Sequence, residues 1–181
     1  MARISLVGRS AASGVAREAF ERKITERGNI PKMYRVFAHR PWLLTTMDAH
    51  FAAVMGSGTV PVRTKELLAL QTSQENATRY CIASHTLLAE RCGATKDQIA
   101  ALRDVEHGPF TDKERAALRF GLQMTRDANR VPDAVLEDLR RHYSEAEIVE
   151  IAAVVGLFAY FNRFNNAFGL EPTEPGEGVD T

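Results

Sequence analysis

Apolar side chains recur at intervals of three and four residues along almost the whole chain, and no stretch alternates convincingly with a period of two. The pattern predicts helices near residues 12–27, 31–39, 41–55, 61–76, 79–92, 95–104, 111–129, 132–143 and 145–168. The intervening connections are short, so consecutive helices should pack as antiparallel or angled neighbours. The sequence therefore predicts an all-α fold, built as a compact multi-helix bundle.

The helix starts and the end of the chain define the expected domain. Segments 95–98, 111–114 and 144–147 each fit the capping box, in which the first and fourth side chains bond reciprocally to backbone amides. We expect a single all-α domain over residues 1–170. The tail 171–181 is rich in proline, glycine and acidic residues, so we expect it to be disordered.

The last predicted helix is apolar on more than one face. One stripe contains Ile148, Ile151, Val155 and Phe158. Other faces of the same helix carry Val154, Leu157, Phe161 and Phe164. A helix that is apolar on so many sides must be buried on most of them. We therefore expect a subunit interface on one face; the alternative is a central helix that its own chain encloses.

Composition and charge narrow the class of protein. Apolar residues make up 45% of the 181 residues, and 23 basic side chains balance 23 acidic ones. This balance gives no net field toward nucleic acid or an anionic membrane, so we expect neither as a partner. The chain has two cysteines, no apolar segment suited to a signal peptide, and an apolar run, 151–161, that is too short to span a bilayer. We expect a cytoplasmic location.

Reactive side chains concentrate in the segment from residue 63 to residue 86. Residues 76–78 read as a tight junction between two helices, which places Cys81 in the first turn of the second helix. Unpaired amides and the helix dipole favour a thiolate there. A thiol with the ordinary pKa of about 8.5 is only about 3% ionised at pH 7. A lowered pKa at this position would therefore decide how reactive Cys81 is.

His85 and Glu66 can complete a proton relay with Cys81. His85 follows Cys81 by four residues and shares its helical face, so it can accept the thiol proton. Glu66 lies on the preceding helix and can reach His85 if the two helices form a hairpin. One alternative is a packed cysteine beside two solvated polar residues. Another is a metal site with these three ligands, although no fourth ligand lies nearby in the sequence.

Three further features are interpreted as structural. Cys92 lies eleven residues after Cys81, roughly 16 Å along a continuous helix, so the two cannot form a disulfide within one chain and we expect Cys92 to be a buried thiol. Trp42 is expected in the core. Asn162 belongs to an amide-rich cluster near the end of the last helix, which either bonds to helix ends or lines a pocket or an interface.

These residues form a recognisable motif. Within an Arg-x-x-Glu-Leu helix, Glu66 precedes by fifteen residues the cysteine of a Tyr-Cys-Ile-x-x-His-Thr segment that begins at Tyr80. The chain resembles the carboxymuconolactone decarboxylase / alkylhydroperoxidase D-like superfamily, especially its peroxidase-related branch. The resemblance covers residues 30–125 well and the last helix loosely. It implies an alkylhydroperoxidase D-like bundle without a cofactor that assembles as a homo-oligomer: a dimer, trimer or hexamer.

The resemblance also implies an antioxidant peroxidase. In the peroxidase members, the cysteine matching Cys81 is oxidised by a hydroperoxide, the residues matching His85 and Glu66 relay its proton, and a second cysteine three residues earlier closes a disulfide. Here that earlier position is Thr78, which with Tyr80 and Ser84 forms the secondary candidates; Ser84 can donate a hydrogen bond but cannot form a disulfide.

Recycling of an oxidised cysteine would then need a thiol reductant, a partner protein, or the second cysteine of another subunit. Two other functions stay open. One is a decarboxylase-like enzyme that uses His85 and Glu66 for acid–base chemistry on a small carboxylic acid or lactone. The other is a non-catalytic oligomer whose assembly responds to oxidation of Cys81.

Overall fold

A computed structural model describes residues 2–56 and 58–181, and these residues form helices and turns without a β-strand. The all-α prediction is confirmed for this part of the chain. The chain divides into two compact units, one of residues 1–52 and 164–181 and the other of residues 53–163. The single domain predicted from the sequence includes residues of both units.

The first unit contains two complete helices, the start of a third and the end of the last. Its elements are α1 (Gly14–Arg27), α2 (Lys32–Phe37), most of α3 (Pro41–Met55) and the last residues of α9 (Glu145–Phe168). Helix α1 ends at Gly28, whose φ of 71° is left-handed and whose amide bonds to the carbonyl of Ile24. Phe37 stacks on Phe164 with 4.3 Å between the ring centroids, which anchors the apolar interior of this unit.

The C-terminal tail bonds to other parts of the first unit, while the expected disorder of residues 171–181 stays a prediction. The amide of Ile30 bonds to the carbonyl of Glu177, and Arg9 donates to the carbonyl of Val179. Lys32 donates to the carbonyl of Pro172 and also pairs with the Glu177 carboxylate at 3.0 Å. The composition of the tail indicated that it has little apolar surface to bury, but it could not show that these polar groups find partners near the N-terminus.

The second unit contains the remaining helices. They are α4 (Val62–Glu75), α5 (Arg79–Arg91), α6 (Lys96–Ala100), α7 (Asp112–Asp127), α8 (Asp133–His142) and the greater part of α9. Helix α4 contacts both α5 and α7, so it lies at the centre of this unit. Its Leu67, Leu68 and Leu70 side chains are completely buried, as is Leu118 of α7. The hydrophobic core of the unit is therefore built around the helix that carries Glu66.

The predicted helix boundaries agree closely with the structure. All three capping boxes form, at residues 95–98, 111–114 and 144–147. The helices predicted to run to 104 and 129 instead finish as short 3-10 turns, Ala101–Arg103 and Ala128–Arg130. Among the described residues, the structure shows no helix with the length and apolar character needed to cross a membrane.

The prediction that Trp42 lies in the core is wrong. Its side chain is 61% exposed, whereas Leu44 and Met47 of the same helix are buried. Leu44 and Met47 are three residues apart and share one face of α3, and a residue two positions before Leu44 lies on the opposite side. The ring of Trp42 packs instead under the guanidinium of Arg40, 5.5 Å from its centroid.

Candidate functional site

Helices α4 and α5 form a hairpin, which is the condition under which the sequence allows Glu66 to reach His85. Helix α4 closes through two backbone bonds, from the amide of Thr78 to the carbonyl of Ser73 and from the amide of Ala77 to the carbonyl of Gln74. Ala77 is left-handed, with a φ of 50°, which makes the turn a Schellman motif with alanine where glycine is usual. This tight reversal places the middle of α4 beside the start of α5.

Glu66 and His85 meet across this hairpin. The Nδ1 atom of His85 lies 2.6 Å from Oε2 of Glu66, and each residue is only 6% exposed. The predicted contact between these two side chains is therefore present. An ionised carboxylate can only accept, so Nδ1 carries the hydrogen and donates it to Glu66. In the neutral ring, Nε2 then has its lone pair available and can act as a base.

Phe158 of α9 fixes the plane of the imidazole. Its ring meets the ring of His85 edge to face, with 4.5 Å between the centroids and 86° between the planes. Phe158 itself is 1% exposed, so the imidazole packs on a buried apolar side chain. The sequence marked Phe158 as part of an apolar stripe but gave no signal that it contacts His85.

Cys81 is the third residue of α5, in the first turn as predicted, and it is 4% exposed. It lies one helical turn before His85, so the two side chains leave the same face of the helix. The backbone amides of this first turn have no carbonyl partner within the helix and point toward its start. The site therefore combines a buried sulfur, a helix N-terminus and a carboxylate-oriented imidazole within a short stretch of the chain.

The secondary candidates surround Cys81 in different ways. Thr78 is the residue before α5, is completely buried, and donates its hydroxyl to the carbonyl of Asn76 at 3.4 Å. Tyr80 is buried and Ser84 is half-buried. Cys92 is also half-buried, so the prediction of a buried thiol is wrong. It directly follows the last residue of α5, and its amide bonds to the carbonyls of the last turn.

A chain of buried amides holds the end of α4 against α9. Asn162, which is completely buried, donates to the hydroxyl of Ser73 at 3.1 Å and accepts from the side chain of Asn76 at 3.0 Å. Ser73 in turn donates to the carbonyl of Ala69. The sequence left two alternatives for the amide cluster, hydrogen bonding at helix ends or lining a pocket or an interface. The bonds of Asn162 agree with the first alternative. It stabilises the turn that leads into Thr78 and Cys81.

Lys65, the residue before Glu66, is completely buried and pairs with half-buried Glu150. The ammonium of Lys65 is 2.5 Å from Oε1 of Glu150 and also donates to the carbonyls of Val54 and Gly56. Burial alone would raise the pKa of Glu150, but hydrogen bonds from Lys65, from the Val60 amide and from a threonine hydroxyl lower it below 4.5. No motif in the sequence indicated this pair, because a lysine in a helix is usually exposed.

The alternative of a metal site requires three or more ligands close together. Among residues 2–56 and 58–181, no group of three or more His, Cys, Asp or Glu side chains has an arrangement that could hold a metal ion. The contact that the structure gives His85 is the one to Glu66 through Nδ1, together with the aromatic contact to Phe158.

The fold and the site together define an all-α protein with a buried carboxylate–imidazole pair one helical turn from a cysteine. Residues 41–123, which include all three side chains, match the model of the carboxymuconolactone decarboxylase family. The uncharacterized protein YdfG of Bacillus subtilis is 32% identical over 108 residues, which are 59% of this chain and 74% of that protein. The chain belongs to the carboxymuconolactone decarboxylase family, within the alkylhydroperoxidase D-like superfamily.

Two solved structures extend the similarity beyond the family segment. The alkylhydroperoxidase AhpD core of an uncharacterized peroxidase-related protein from Ralstonia eutropha has a TM-score of 0.85 and 25% identity, over 96% of this chain and 93% of the other. The debrominase Bmp8 in complex with 2,3,4-tribromopyrrole has a TM-score of 0.82 and 22% identity, over 97% and 96%. The second likeness concerns the fold alone.

Proposed function

We propose that this protein is a thiol-dependent hydroperoxide reductase, an antioxidant peroxidase with one reactive cysteine. The observation that carries the proposal is the 2.6 Å contact between buried Glu66 and Nδ1 of His85, on the face of α5 that also carries Cys81. This contact leaves Nε2 of His85 as the basic atom of the site. The likeness to a peroxidase-related protein supports the same chemistry.

The proposed reaction begins when the proton on Sγ of Cys81 passes to Nε2 of His85, directly or through one water. The thiolate then attacks the terminal oxygen of the hydroperoxide, so that an S–O bond forms while the O–O bond breaks. His85 returns the proton to the departing alkoxide, which leaves as an alcohol. The sulfur loses two electrons and becomes a sulfenic acid, and the peroxide gains them. Glu66 holds the imidazole and balances its transient charge.

Return to the thiol requires an external reductant. Thr78 occupies the place of the second cysteine found in peroxidase members of the family, and its hydroxyl cannot form a disulfide. We propose that a thiol condenses with the sulfenic acid, releasing water and leaving a mixed disulfide. A second thiol then restores Cys81. Such a cycle needs a reducing compartment, which is why we propose a cytoplasmic location.

Trapping of the sulfenic acid tests this proposal. The reduced protein is given a pulse of cumene hydroperoxide in the presence of dimedone, and the adduct at Cys81 is quantified by mass spectrometry against time. We expect His85→Ala to slow adduct formation by about 10²-fold or more, the usual contribution of a positioned base. The exposed His50 offers the matched control, because His50→Ala should leave the rate unchanged. A wild-type rate no faster than that of N-acetylcysteine would refute the proposal.

A second function, acid–base chemistry on a small carboxylic acid or lactone, is favoured by one observation: the Glu66–His85 pair is complete without the sulfur. It predicts that Cys81→Ser keeps activity toward such a compound whereas His85→Ala loses it. The peroxidase predicts the reverse for Cys81→Ser, which would lose all peroxide-dependent chemistry. The two functions are thus separated by one variant.

We also propose that the protein assembles as a homo-oligomer through an exposed stripe of α9. The stripe contains Val149, Ala153, Gly156 and Tyr160, which recur every three or four residues, and Val149 is 68% exposed. Native mass spectrometry should show a dimer, trimer or hexamer that Val149→Glu dissociates and that Val15→Glu, at an exposed position of α1, does not. Oxidation that changed the assembly without peroxide turnover would instead indicate a redox-responsive oligomer.

A further inference from the structure

The first unit contains a cavity of about 390 Å³ that none of the proposed reactive residues lines. Its wall is made almost wholly of apolar side chains: Ile4, Val36, Phe37, Leu43, Phe164 and Phe168. The three phenylalanines hold one another, because Phe37 stacks on Phe164 and Phe164 meets Phe168 edge to face at 4.9 Å. The volume lies within the range of pockets that enclose small organic ligands.

Two basic side chains complete the wall, and they differ in what they already bind. Nε2 of His39 lies 2.9 Å from the carbonyl oxygen of Ser5, so it donates to the backbone and is occupied. Arg40 is exposed, and among the described residues no carboxylate lies within 4.0 Å of its guanidinium. Among the described residues, the aromatic ring that its guanidinium contacts is the exposed one of Trp42. Arg40 therefore lines an apolar cavity, and no carboxylate of the described residues pairs with its guanidinium.

We propose that this cavity binds an amphipathic organic anion, namely a medium-chain carboxylate. The hydrocarbon chain would lie among Phe37, Leu43 and Phe168, and the carboxylate would accept hydrogen bonds from the planar fork of Arg40. A sugar or nucleotide is a poor fit because the wall offers few polar groups, and an organic cation would be repelled by Arg40. The proposal concerns the first unit and does not depend on any chemistry at Cys81.

Trp42 is the single tryptophan of the chain, which gives the site its own fluorescent reporter. The full-length protein is titrated with decanoate below its micellar concentration, and binding is followed by Trp42 emission and by isothermal titration calorimetry. Decanol and decyltrimethylammonium have the same chain with a neutral and a cationic head. We expect saturable binding of decanoate about tenfold tighter than that of decanol, and no measurable binding of the cation.

Two variants separate the charge from the cavity. Arg40→Gln should remove the preference for decanoate and leave the affinity for decanol unchanged, whereas Arg91→Gln, which replaces an exposed arginine of α5, should change neither. Leu43→Phe places a larger ring in the cavity from a half-exposed position and should weaken both ligands. Binding to Arg40→Gln is measured by calorimetry, because that variant removes the cation that packs on Trp42 and so changes the Trp42 emission itself.

Three results would overturn the proposal. Equal affinities of the wild type for decanoate and decanol would leave Arg40 without a role. Absence of saturation below the micellar concentration would leave the cavity without a ligand of this class. A Trp42 emission that follows protein concentration in step with self-association would assign the cavity to a second copy of the chain.

Discussion

Nδ1 of His85 and Oε2 of Glu66 lie 2.6 Å apart at the centre of the second unit, and neither side chain has more than a small fraction exposed. The contact joins α4 to α5, the two helices that the turn at residues 76–78 connects along the chain. A buried carboxylate costs free energy unless it is paired and hydrogen-bonded, so Glu66 and His85 depend on each other for burial. Their contact decides both the tautomer of the imidazole and the atom that it offers to Cys81.

Replacing Glu66 with glutamine should slow the reaction of Cys81 without moving the imidazole. The Oε1 atom of glutamine can still accept from Nδ1, but a neutral amide does not stabilise the imidazolium that forms when His85 takes a proton. We expect the rate of peroxide-dependent dimedone labelling to fall about 10- to 100-fold. Glu90→Gln, on an exposed position of α5, is the control. Equal rates for both variants would mean that the carboxylate has no part in the relay.

Introducing a cysteine at position 78 should create the missing resolving thiol. Thr78 precedes the first turn of α5 and has an extended backbone, so a side chain there can turn toward Cys81, and its hydroxyl forms no capping bond that the change would break. We expect Thr78→Cys to form an intramolecular disulfide after one equivalent of peroxide and to turn over with a dithiol.

The control for this prediction is Ser84→Cys, which also lies three residues from Cys81 but inside the helix. Cysteines at that spacing within a regular helix have Cβ atoms about 5–6 Å apart, which is farther than the roughly 3.5–4.5 Å that a disulfide needs. Mass spectrometry after alkylation measures the loss of two thiols in the first variant only. Disulfides in both variants, or in neither, would contradict the geometry described for the start of α5.

Asn162→Leu should destabilise the second unit and disturb Cys81 at the same time. Leucine has nearly the same size as asparagine, but it cannot form the two buried hydrogen bonds that Asn162 makes with the Asn76 amide and the Ser73 hydroxyl. The expected loss is about 1–3 kcal/mol in the free energy of unfolding, measured with urea. Exposed Asn129 supplies the control, since Asn129→Leu should change stability by less than about 0.5 kcal/mol.

A second measurement on Asn162→Leu distinguishes support of the turn from general stability. Because Asn162 braces the turn before Thr78, the alkylation rate of Cys81 in the folded protein should change at denaturant concentrations far below unfolding. A variant that loses stability but alkylates Cys81 at the wild-type rate would show that the turn does not depend on Asn162.

The ion pair of buried Lys65 and half-buried Glu150 should make stability depend on pH. The pKa of Glu150 lies below 4.5 in the folded protein, so its ionised form contributes stability above pH 4.5 and loses that contribution as the pH falls through the folded-state pKa. Glu150→Gln leaves Lys65 charged and buried, and we expect it to cost about 3–5 kcal/mol at pH 7. The difference from wild type should shrink below pH 4.5.

Urea unfolding at pH 7 and at pH 3.5 checks this dependence. Glu145→Gln, on the first turn of the same helix and 79% exposed, is the matched control and should change stability little at either pH. If the gap between wild type and Glu150→Gln stayed constant across this range, charge on Glu150 would not be the origin of the effect.

Several elements could be predicted from the sequence because their causes are local. The capping boxes are set by side chains three residues apart, and helix α9 ends where its apolar pattern ends. The contact between Glu66 and His85 was also predictable, since a tight turn between two helices leaves few arrangements for residues near it. Cys81 and His85 lie on one face because they are four residues apart on the same helix.

Other features depended on where distant segments meet. The role of Phe158 against His85 follows from the side of α9 that faces α5, and apolarity alone did not specify it. The sequence predicts Trp42 in the core, yet the buried face of α3 follows Leu44 and Met47. The half-buried state of Cys92 likewise results from the turn that follows α5.

The sequence by itself therefore determined the helices, their caps, and the grouping of Glu66, Cys81 and His85, because these follow from periodicity and from contacts across one short turn. Only the tertiary structure decided which buried polar groups are paired. The Lys65–Glu150 ion pair and the bonds of Asn162 join residues about ninety positions apart. Burial of a charge or an amide is stable only when its partner is brought to it, and the folding of the whole unit supplies that partner.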